Sequence, residues 1–534
     1  MKLIRFAVYA LCGAFIAGRA HSAEPLRVDI QPSGPDAKDL RAVPARILRL
    51  PEVVALVGKD RVRVVSVQLL PEAGRCQATV FDYATNHAFT VDTSIRDGEK
   101  SGKTIIRSFA GQPLPNDEEF EEAVNLLRNS PDFGKELGLG ALVPFKPMPP
   151  LLDTVDGVNR IVNVGLSVAD GSVATRIVGV DLVKAELVNY KGGVPENSRA
   201  AGTLAGCGNP SAGGSNGRGL AGQMDVTITR GPTTLWQFTV LRPSISSGVS
   251  GSGAEFRNIR YKGKLILTRA HTPILNVKYV NDACGPYRDW QYAEHDFNAP
   301  GCTGNTSGVC ATTSMPTTML ESGNDAGNFR GVAFYNDTVS TVTFETELTA
   351  GWYRYVPKWT FKDDGTIQAR MGFAGTNNSC ICNIHLHNAF FRLDFDVDGA
   401  SNTVISRKNQ GGWQPVATET WGRRDRLGAL AFQLSNPLTG DKVQVTPGPY
   451  DAIADSFGVG DFWVLQSKPT TEIDDGISCV SCSTAPVQLT NFVNGESVQN
   501  TKVVIYYGAH FLHNINDAES ANEIVGPDIT FLSW

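Results

Sequence analysis

Residues 380–399 read CICNIHLHNAFFRLDFDVDG, and this stretch holds the strongest signals for fold and chemistry in the chain. Residues 390–397 alternate apolar and charged side chains and lead into Asp398-Gly399, which predicts a β-strand that runs into a turn. His385 and His387 are two residues apart, so on a strand they point to one face, about 6.6–6.8 Å apart along it. Two imidazoles placed in this way are able to bind one metal ion. The alternative interpretation is that both are ordinary residues on the outer face of a strand.

A third metal ligand is expected from another strand. The chain has eight histidines, and His510 and His513 lie near its end, just after the β-branched and aromatic run 503–507. Three imidazoles with open coordination positions suit copper or zinc, and ligand type alone does not choose between the two metals. Cys380 and Cys382 offer another arrangement, a closed structural zinc site with the two histidines of the first strand. In an exported protein those cysteines are expected in disulfides instead.

The N-terminus predicts a signal peptide over residues 1–23. Lys2 and Arg5 form a short basic region, residues 6–17 form an apolar core, and residues 20–22 form a small-residue cleavage site. The apolar core is too short for a membrane span, and no later stretch approaches the roughly 20 apolar residues that a spanning helix needs. The sequence therefore predicts an exported protein, periplasmic or secreted, with no membrane span.

Composition narrows the classes of function. The net charge is −6 with 19% charged residues and no basic block, which argues against a nucleic-acid partner. The ten cysteines include Cys12 in the predicted leader, so nine remain in the mature chain. An oxidising compartment is expected to pair most of them and to leave one odd thiol. Cys479 and Cys482 form a CxxC pair that we interpret as disulfide participants, because neither a βαβ pattern nor a second CxxC accompanies it.

Periodicity divides the mature chain into two folded parts. Residues 43–195 mix strand-like runs with a helix that Asn116 caps together with Glu119, and they predict a small α+β domain. Residues 196–222 are rich in glycine and predict a linker. Residues 223–534 contain short β-branched and aromatic runs separated by Gly, Pro, Asn and Asp turns. They predict a mainly β domain, a large antiparallel β-sandwich that carries the candidate site.

Two of these stretches resemble the copper amine oxidases, a family whose quinone cofactor, topaquinone, forms from a tyrosine of the protein itself. Residues 385–387 (His-Leu-His), followed by RLDFDVDG at 392–399, are similar to the family's copper-ligand strand. Residues 511–513 (Phe-Leu-His), followed by Ala518-Glu519, resemble the segment of the third copper histidine, so the resemblance selects His513. It implies copper, a homodimer, and oxidation of a small primary amine by O2 and water to an aldehyde, ammonia and hydrogen peroxide.

The resemblance also assigns roles to three further residues. Residues 349–355 (TAGWYRY), followed by WTFKDDG at 359–365, resemble the strand of the tyrosine that becomes topaquinone, which makes Tyr353 the precursor. Tyr279 matches a tyrosine that hydrogen-bonds the quinone. Asp296 falls where the family keeps its catalytic base. A carboxylate largely buried beside the cofactor, with its pKa raised by desolvation, suits that role.

Several positions depart from the family's pattern. Trp352 stands where the family has an asparagine, and Arg354 where it has an acidic residue. A bulky indole and a guanidinium are expected to change the packing and the charge around the ring. Asp394 and Asp396 match the family's peripheral calcium site, but Lys502 replaces a downstream acid. A cation there opposes metal binding, which makes a second, calcium-like site doubtful.

Three hypotheses follow for the function. The first is an exported primary-amine oxidase that depends on copper and on topaquinone derived from Tyr353. The second is a non-catalytic copper-binding relative without quinone, in which Trp352 and Arg354 have replaced the environment that matures the cofactor. The third is a zinc hydrolase that uses the same histidines with Asp296 or Glu294 as the base. Quinone with copper, copper alone, and zinc with oxygen-independent activity distinguish the three.

Overall fold

The structure is a computed structural model of the chain. It describes residues 24–35, 37–57, 61–70, 74–98, 102–109, 111–147, 151, 159–168, 175–188, 207–210, 222–247, 253–279, 287–289, 294–376, 379–424, 430–468, 472, 486–513 and 524–533. The predicted signal peptide, most of the predicted linker, the Cys479/Cys482 pair and Ala518-Glu519 lie outside the described residues.

The first part of the chain carries four of the five described α-helices. In chain order its elements are β1 (Arg27–Pro32), α1 (Ala37–Ile47), α2 (Pro51–Val54), β2 (Val62–Leu69), β3 (Arg75–Asp82), β4 (His87–Ser94), β5 (Ile105–Ser108), α3 (Asp117–Arg128), α4 (Gly134–Gly138), β6 (Leu142–Phe145), β7 (Ile161–Val168), β8 (Thr175–Asp181) and β9 (Glu186–Val188).

The remainder is almost entirely strand. Its elements are β10 (Gln223–Arg230), β11 (Thr233–Leu241), β12 (Glu255–Tyr261), β13 (Lys264–Tyr279), β14 (Tyr287–Asp289), β15 (Val309–Ala311), α5 (Met319–Ser322), β16 (Val332–Thr338), β17 (Thr341–Glu345), β18 (Leu348–Ala350), β19 (Tyr353–Lys362), β20 (Ile367–Gly375), β21 (His385–Phe395), β22 (Val404–Asn409), β23 (Gly412–Pro415), β24 (Thr420–Gly422), β25 (Ala431–Ser435), β26 (Lys442–Thr446), β27 (Phe462–Gln466), β28 (Val503–His513), β29 (Ile524–Val525) and β30 (Asp528–Ser533).

The small N-terminal domain contains two four-stranded sheets, in the orders β2-β3-β4-β5 and β6-β7-β8-β9. Helix α3 begins at the predicted capping box, in which Asn116 and Glu119 exchange side-chain and backbone hydrogen bonds. Its buried face, which includes Phe120 and Leu127, shares one apolar core with Phe81 of the first sheet and with the second sheet. Strand β1 precedes this domain and pairs with β10, so it belongs to the large sheet that follows.

Two large sheets pack face to face, as predicted for a mainly β, antiparallel sandwich. The first has ten strands in the order β1-β10-β11-β12-β13-β21-β28-β27-β24, with β14 beside β13. The second has twelve, in the order β15-β16-β17-β19-β20-β30-β26-β25-β22-β23, with β18 beside β19 and β29 beside β20. Aromatic rings join them: Phe238 stacks on Phe361 at 4.3 Å, and Phe256 lies 5.1 Å from Trp359. Such aromatic pairs contribute about 0.5–1.5 kcal/mol each beyond their burial.

Strand β21 lies in the interior of the first sheet, between β13 and β28, and all of its residues are buried. Its charged residues Arg392 and Asp394 are buried as well, and the Arg392 guanidinium forms ion pairs with Glu472 and Asp394. The strand that carries the histidine pair is therefore held rigidly from both sides.

Disulfides tie the irregular segments to the sandwich. Cys207, within the predicted linker, is bonded to Cys382, and Cys302 is bonded to Cys310. Cys380 is also disulfide-bonded, while Cys76 is a buried free thiol. These bonds leave no thiolate at Cys380 or Cys382, so the closed zinc site considered for this stretch is wrong. No helix among the described residues has the length and apolarity needed to cross a membrane.

Candidate metal centre

The register of three neighbouring strands brings the predicted residues together. His385 on β21 lies directly opposite His513 on β28 and opposite Tyr279 on β13. Because side chains alternate along a strand, His385 and His387 point to the same face, as their spacing predicts. Tyr353 stands at the start of β19 in the facing sheet. The candidate site is thus built between the two sheets.

The polar atoms of the site are in direct contact. The Tyr353 hydroxyl donates to His385 Nε2 at 2.5 Å and lies 3.4 Å from His513 Nδ1. These two ring nitrogens are 3.2 Å apart. The His387 ring packs edge-on against Tyr353, with ring centroids 4.4 Å apart, and stacks on Phe373 at 4.6 Å. Tyr353 and the three histidines are all buried.

The donor set fits a metal ion that takes imidazole ligands, such as copper or zinc. Two nitrogens each about 2.0–2.1 Å from a metal at a tetrahedral angle lie about 3.3 Å apart, close to the separation of His385 Nε2 and His513 Nδ1. His385 Nδ1 donates to the Asn383 carbonyl at 2.6 Å, which leaves the lone pair on Nε2 and orients the ring as a metal ligand requires. Neither nitrogen of the buried His387 has a hydrogen-bond partner among the described residues. An unmet group of this kind costs about 1–3 kcal/mol unless a ligand satisfies it.

The three histidines do not yet converge fully. Among the described residues, one other set of three side chains has its ligand atoms within 4.8 Å of one another, and these histidines do not form such a set. The position between His385 and His513 is taken up by the Tyr353 hydroxyl.

Burial keeps the imidazoles of His385 and His387 neutral. Desolvation is the main cause that lowers the pKa of His385 to about 3; the backbone hydrogen bond with Asn383 opposes the shift and the neighbouring His513 adds to it. Desolvation, together with His385 and His513, also lowers the pKa of His387 well below its ordinary value. Because a metal binds neutral imidazole, these rings lose no proton on binding at physiological pH.

Trp352 makes a specific contact beside the site. Its indole Nε1 donates to the Tyr279 hydroxyl at 2.8 Å, and the Tyr279 ring lies 4.5 Å from the His385 ring. The indole therefore orients the hydroxyl that the resemblance assigns to the quinone. At this position the described contact of the indole with the site is a hydrogen bond.

Arg354 does not place its charge against the Tyr353 ring. Adjacent residues of a strand face opposite sides, so Tyr353 points into the sandwich and Arg354 points out of it. The guanidinium binds both carboxylate oxygens of Asp325, at 2.6 and 2.8 Å, and donates to the Thr349 hydroxyl at 2.6 Å. Its charge is therefore neutralised on the other face of the sheet.

Asp296 differs from the buried carboxylate that was expected. Its side chain is 30% exposed, and its two oxygens accept from Arg330 at 2.9 and 3.1 Å. Glu294 forms an isolated β-bridge with Leu348, and Leu348 pairs with Tyr355 of β19. Glu294 therefore lies level with Tyr355, two residues after Tyr353. Asp296 is two residues beyond Glu294, so it lies four residues, or about 13 Å along the strand direction, from the level of Tyr353.

The sequence names Glu294 as a base for the zinc alternative and not as the base of the oxidase. The structure buries it completely and pairs it with the Arg242 guanidinium. It is the carboxylate of this segment that lies nearer to Tyr353. The sequence does not identify Glu347, a second acidic residue. Glu347 lies with His295 and Asp325 in a buried cluster of possible metal ligands. Nothing in the spacing of these three residues predicts that set, since Asp325 and Glu347 follow His295 by 30 and 52 positions.

Two other assignments concern the surroundings of the site. His510 points to the opposite face of β28 from His513, where its Nδ1 donates to Asn388 at 2.5 Å and its Nε2 lies 3.0 Å from Asp461. At the doubtful calcium-like site, the Arg392 guanidinium lies 3.5 Å from Asp394. Arg392 is thus a second positive charge, besides Lys502, that opposes calcium binding by electrostatic repulsion.

The fold, a small α+β domain followed by this sandwich, is that of the copper amine oxidases. Similar solved structures include a copper-containing benzylamine oxidase from Hansenula polymorpha (13% identity, TM-score 0.55, 95% of this chain and 93% of that one). The lysyl oxidase of Pichia pastoris (11%, 0.58, 96% and 92%) and the amine oxidase of Aspergillus nidulans (14%, 0.55, 96% and 91%) are alike in the same way. At such identities the likeness establishes the fold. No protein-family model and no curated protein matches the sequence.

Proposed function

We propose that the protein is an exported oxidase that uses copper and topaquinone to convert a small primary amine, O2 and water into an aldehyde, ammonia and hydrogen peroxide. One observation carries this proposal. The phenol of Tyr353, 1% exposed, hydrogen-bonds His385 and lies beside His513 inside a sandwich with the copper amine oxidase fold. A tyrosine in this position is directly exposed to any metal held by the histidines.

His385, His387 and His513 would hold the copper. Copper would supply O2 chemistry for the conversion of Tyr353, and the quinone would supply a two-electron sink for the amine. The protein contributes the remaining steps. Trp352 fixes the hydroxyl of Tyr279 beside the ring, and the buried walls exclude water from it.

A carboxylate must accept the proton that leaves the carbon next to the amine nitrogen. We assign this role to Asp296 because of its match to the family. The strand register favours Glu294 as the competitor, since Glu294 lies nearer to the level of Tyr353. Both carboxylates are held by arginines, Arg330 and Arg242 respectively. The base is identified by comparing the two amide variants.

The first experiment is to prepare the mature chain without metal, add copper in air, and record the visible spectrum before and after phenylhydrazine. The expected result is a growing absorption band that shifts with the hydrazine, because a quinone carbonyl reacts with it. Tyr353→Phe should bind copper and show no band. A band that persists in Tyr353→Phe would overturn the assignment of the precursor.

A second candidate function, a copper-binding protein without quinone, is favoured by one observation. The Tyr353 hydroxyl serves as the hydrogen-bond partner of His385, an arrangement that also suits an unmodified tyrosine beside a bound metal. If copper binds at one ion per chain and no band appears in air, this candidate replaces the oxidase. Zinc in place of copper, with oxygen-independent hydrolysis, would instead identify the zinc hydrolase.

We also propose a homodimer, again from the resemblance. Light scattering coupled to size-exclusion chromatography should give twice the mass of the mature chain. The mass of a single chain across a hundredfold concentration range would contradict it.

A further inference from the structure

The outer face of the second sheet carries a buried group of charges away from the three histidines. Arg354 of β19 and Glu347, which lies between β17 and β18, come from the sheet. His295 and Asp325 come from the segment 294–330 that covers it. The His295, Asp325 and Glu347 side chains are 0–1% exposed. Because Arg354 alternates with Tyr353, this group lies on the opposite side of the strand from the candidate copper centre.

The potential ligand atoms of three of these residues lie close together. His295 Nε2 is 3.3 Å from Asp325 Oδ1, and His295 Nδ1 is 2.8 Å from Glu347 Oε1. One atom from each residue lies within 4.8 Å of the other two. Three atoms at such separations surround a point at most about 2.8 Å from each. Zinc binds nitrogen and carboxylate oxygen at about 2.0–2.2 Å, so a shift of less than 1 Å per side chain is sufficient.

Two atoms of the group lack hydrogen-bond partners. Among the described residues, neither His295 Nε2 nor Glu347 Oε1 makes a hydrogen bond, since their close neighbours are not aligned for one. The other Glu347 oxygen accepts from the Met319 amide at 2.7 Å, so the carboxylate is fixed with Oε1 turned into the group. Buried polar atoms are otherwise satisfied in nearly all proteins. These two therefore point to a missing ligand.

Glu347 has no basic partner in the part of the chain that the structure describes. Its side chain contacts the His295 ring and the Met319 amide, and it forms no ion pair with a lysine or an arginine there. A cation bound beside Glu347 and His295 would supply that partner.

We propose that His295, Asp325 and Glu347 bind a zinc ion, separate from the copper centre. One imidazole nitrogen and two carboxylate oxygens form a zinc-type ligand set, and a water completes the four positions. The nitrogen ligand and the small number of ligands argue against calcium and magnesium, which take oxygen ligands in larger numbers. Arg354 holds Asp325 from outside the coordination sphere, as the hydrogen-bond partners of metal ligands do.

The role of this zinc is to fasten the segment 294–330 to the second sheet. His295 reaches the ion from one end of that segment, and Asp325 reaches it from near the other end. The same segment carries Asp296 and its partner Arg330. The proposal does not depend on the proposed function, since it concerns metal content on the other face of the strand.

The test is metal content on the mature, full-length chain. The protein is stripped with chelator, loaded with one equivalent of copper, dialysed against zinc, and analysed by mass spectrometry of the metals. The expected result is one copper and one zinc per chain. X-ray absorption at the zinc edge should show one nitrogen and three oxygen neighbours. Copper alone, with no zinc retained, would overturn the proposal.

Variants assign the zinc to these residues. Glu347→Gln and His295→Gln should weaken zinc binding more than tenfold and leave the copper content unchanged. Glu345→Gln is the matched control, because Glu345 is also buried, two residues away, and pairs with Lys358 instead. Zinc that survives Glu347→Gln, or zinc that is lost with His385→Ala, would place the ion elsewhere. If Glu347→Gln fails to fold, the absorption spectrum of the natural chain decides.

Discussion

Tyr353 and Arg354 are consecutive residues with unrelated surroundings. The phenol lies between the sheets in contact with His385, and the guanidinium lies on the outer face in contact with Asp325. The sequence identified both positions, and it predicted that Arg354 would alter the charge around the ring. Strand alternation prevents that effect, because it sends the two side chains to opposite sides of the sheet.

The proposed base can be identified by two amide variants. Asp296→Asn should retain copper and the quinone band and lower kcat/KM by about 10²–10⁴, the usual contribution of a general base. Glu294→Gln is the matched control and should stay within tenfold of the natural protein. Oxygen uptake with a simple primary amine measures both. If Glu294→Gln shows the larger loss instead, the nearer carboxylate is the base.

The contact between Trp352 and Tyr279 should be measurable as a coupling energy. Trp352→Phe and Tyr279→Phe each remove the hydrogen bond of 2.8 Å, and each is expected to lower the free energy of unfolding. In the double variant the losses should not add, and the coupling should be about 0.5–1.5 kcal/mol. Urea unfolding of the metal-free protein provides the four values. Additive losses would show that the indole packs beside Tyr279 without holding its hydroxyl.

At the scale of elements, the site depends on the pairing of β13, β21 and β28. His385 lies opposite both Tyr279 and His513, so a register shift of one residue would turn all of them out of the site. The turn before β21 is fastened by the Cys207–Cys382 disulfide, which ends three residues before His385. The predicted linker therefore helps to hold the candidate ligand strand in place.

Removal of that disulfide should be costly. In the chain-entropy model its separation of 175 residues corresponds to about 5 kcal/mol, compared with about 2.5 kcal/mol for the separation of 8 residues in Cys302–Cys310. The double variant Cys207→Ala/Cys382→Ala should lose more stability than Cys302→Ala/Cys310→Ala, and it alone should weaken copper binding. Thermal unfolding and copper titration compare the two. Equal effects on both measurements would contradict a role for the linker in the site.

At the scale of the whole molecule, a charged cluster links the small domain to the sandwich. Arg257 of β12 donates to the carbonyls of Leu69 and Leu70 at the end of β2. It also binds Glu255, which lies beside Arg269. Desolvation is the largest single effect on Glu255 and raises its pKa. The neighbouring Arg257 and Arg269 together outweigh desolvation, so the net shift of the pKa is downward. The junction of the domains is therefore ionic as well as apolar.

His271, at this junction, should make folding sensitive to acid. It is fully buried, and desolvation, with the arginines Arg392, Arg269 and Arg257, lowers its pKa well below the ordinary value, although Glu255 opposes the shift. In the unfolded chain this histidine binds a proton near pH 6.5, whereas in the folded chain it stays neutral. Its contribution to stability is therefore complete above pH 6.5 and is lost as the pH falls below 6.5. Between pH 7 and pH 5 this histidine alone should cost about 2 kcal/mol.

The comparison of the natural chain with His271→Gln tests this prediction. Urea unfolding of metal-free protein at pH 7 and pH 5 should show a smaller loss of stability in the variant, by about 2 kcal/mol. The part of the loss due to His385 and His387 remains in both proteins. An unchanged loss in His271→Gln would show that His271 accepts a proton in the folded state.

The sequence predicts those features that depend on local pattern. Alternation along 390–397 predicts a strand, the Asn116 and Glu119 spacing predicts the start of a helix, and both are observed. The mainly β class of fold also follows, since many short strands without helices bury their apolar faces in a sandwich or a barrel. The two-residue spacing of His385 and His387 places both rings on one side for the same local reason.

Tertiary structure decides everything that depends on which segments meet. The pairing of β21 with β28 brings His513 to His385, and no local pattern specifies that pairing; it was inferred from resemblance. Whether Glu294 or Asp296 lies nearer to Tyr353 depends on the bridge between Glu294 and β18. The set of His295, Asp325 and Glu347 forms because the segment 294–330 packs on the second sheet. Contacts between residues distant in the chain arise from packing of the whole molecule, so they cannot be predicted from the spacing of those residues in the sequence.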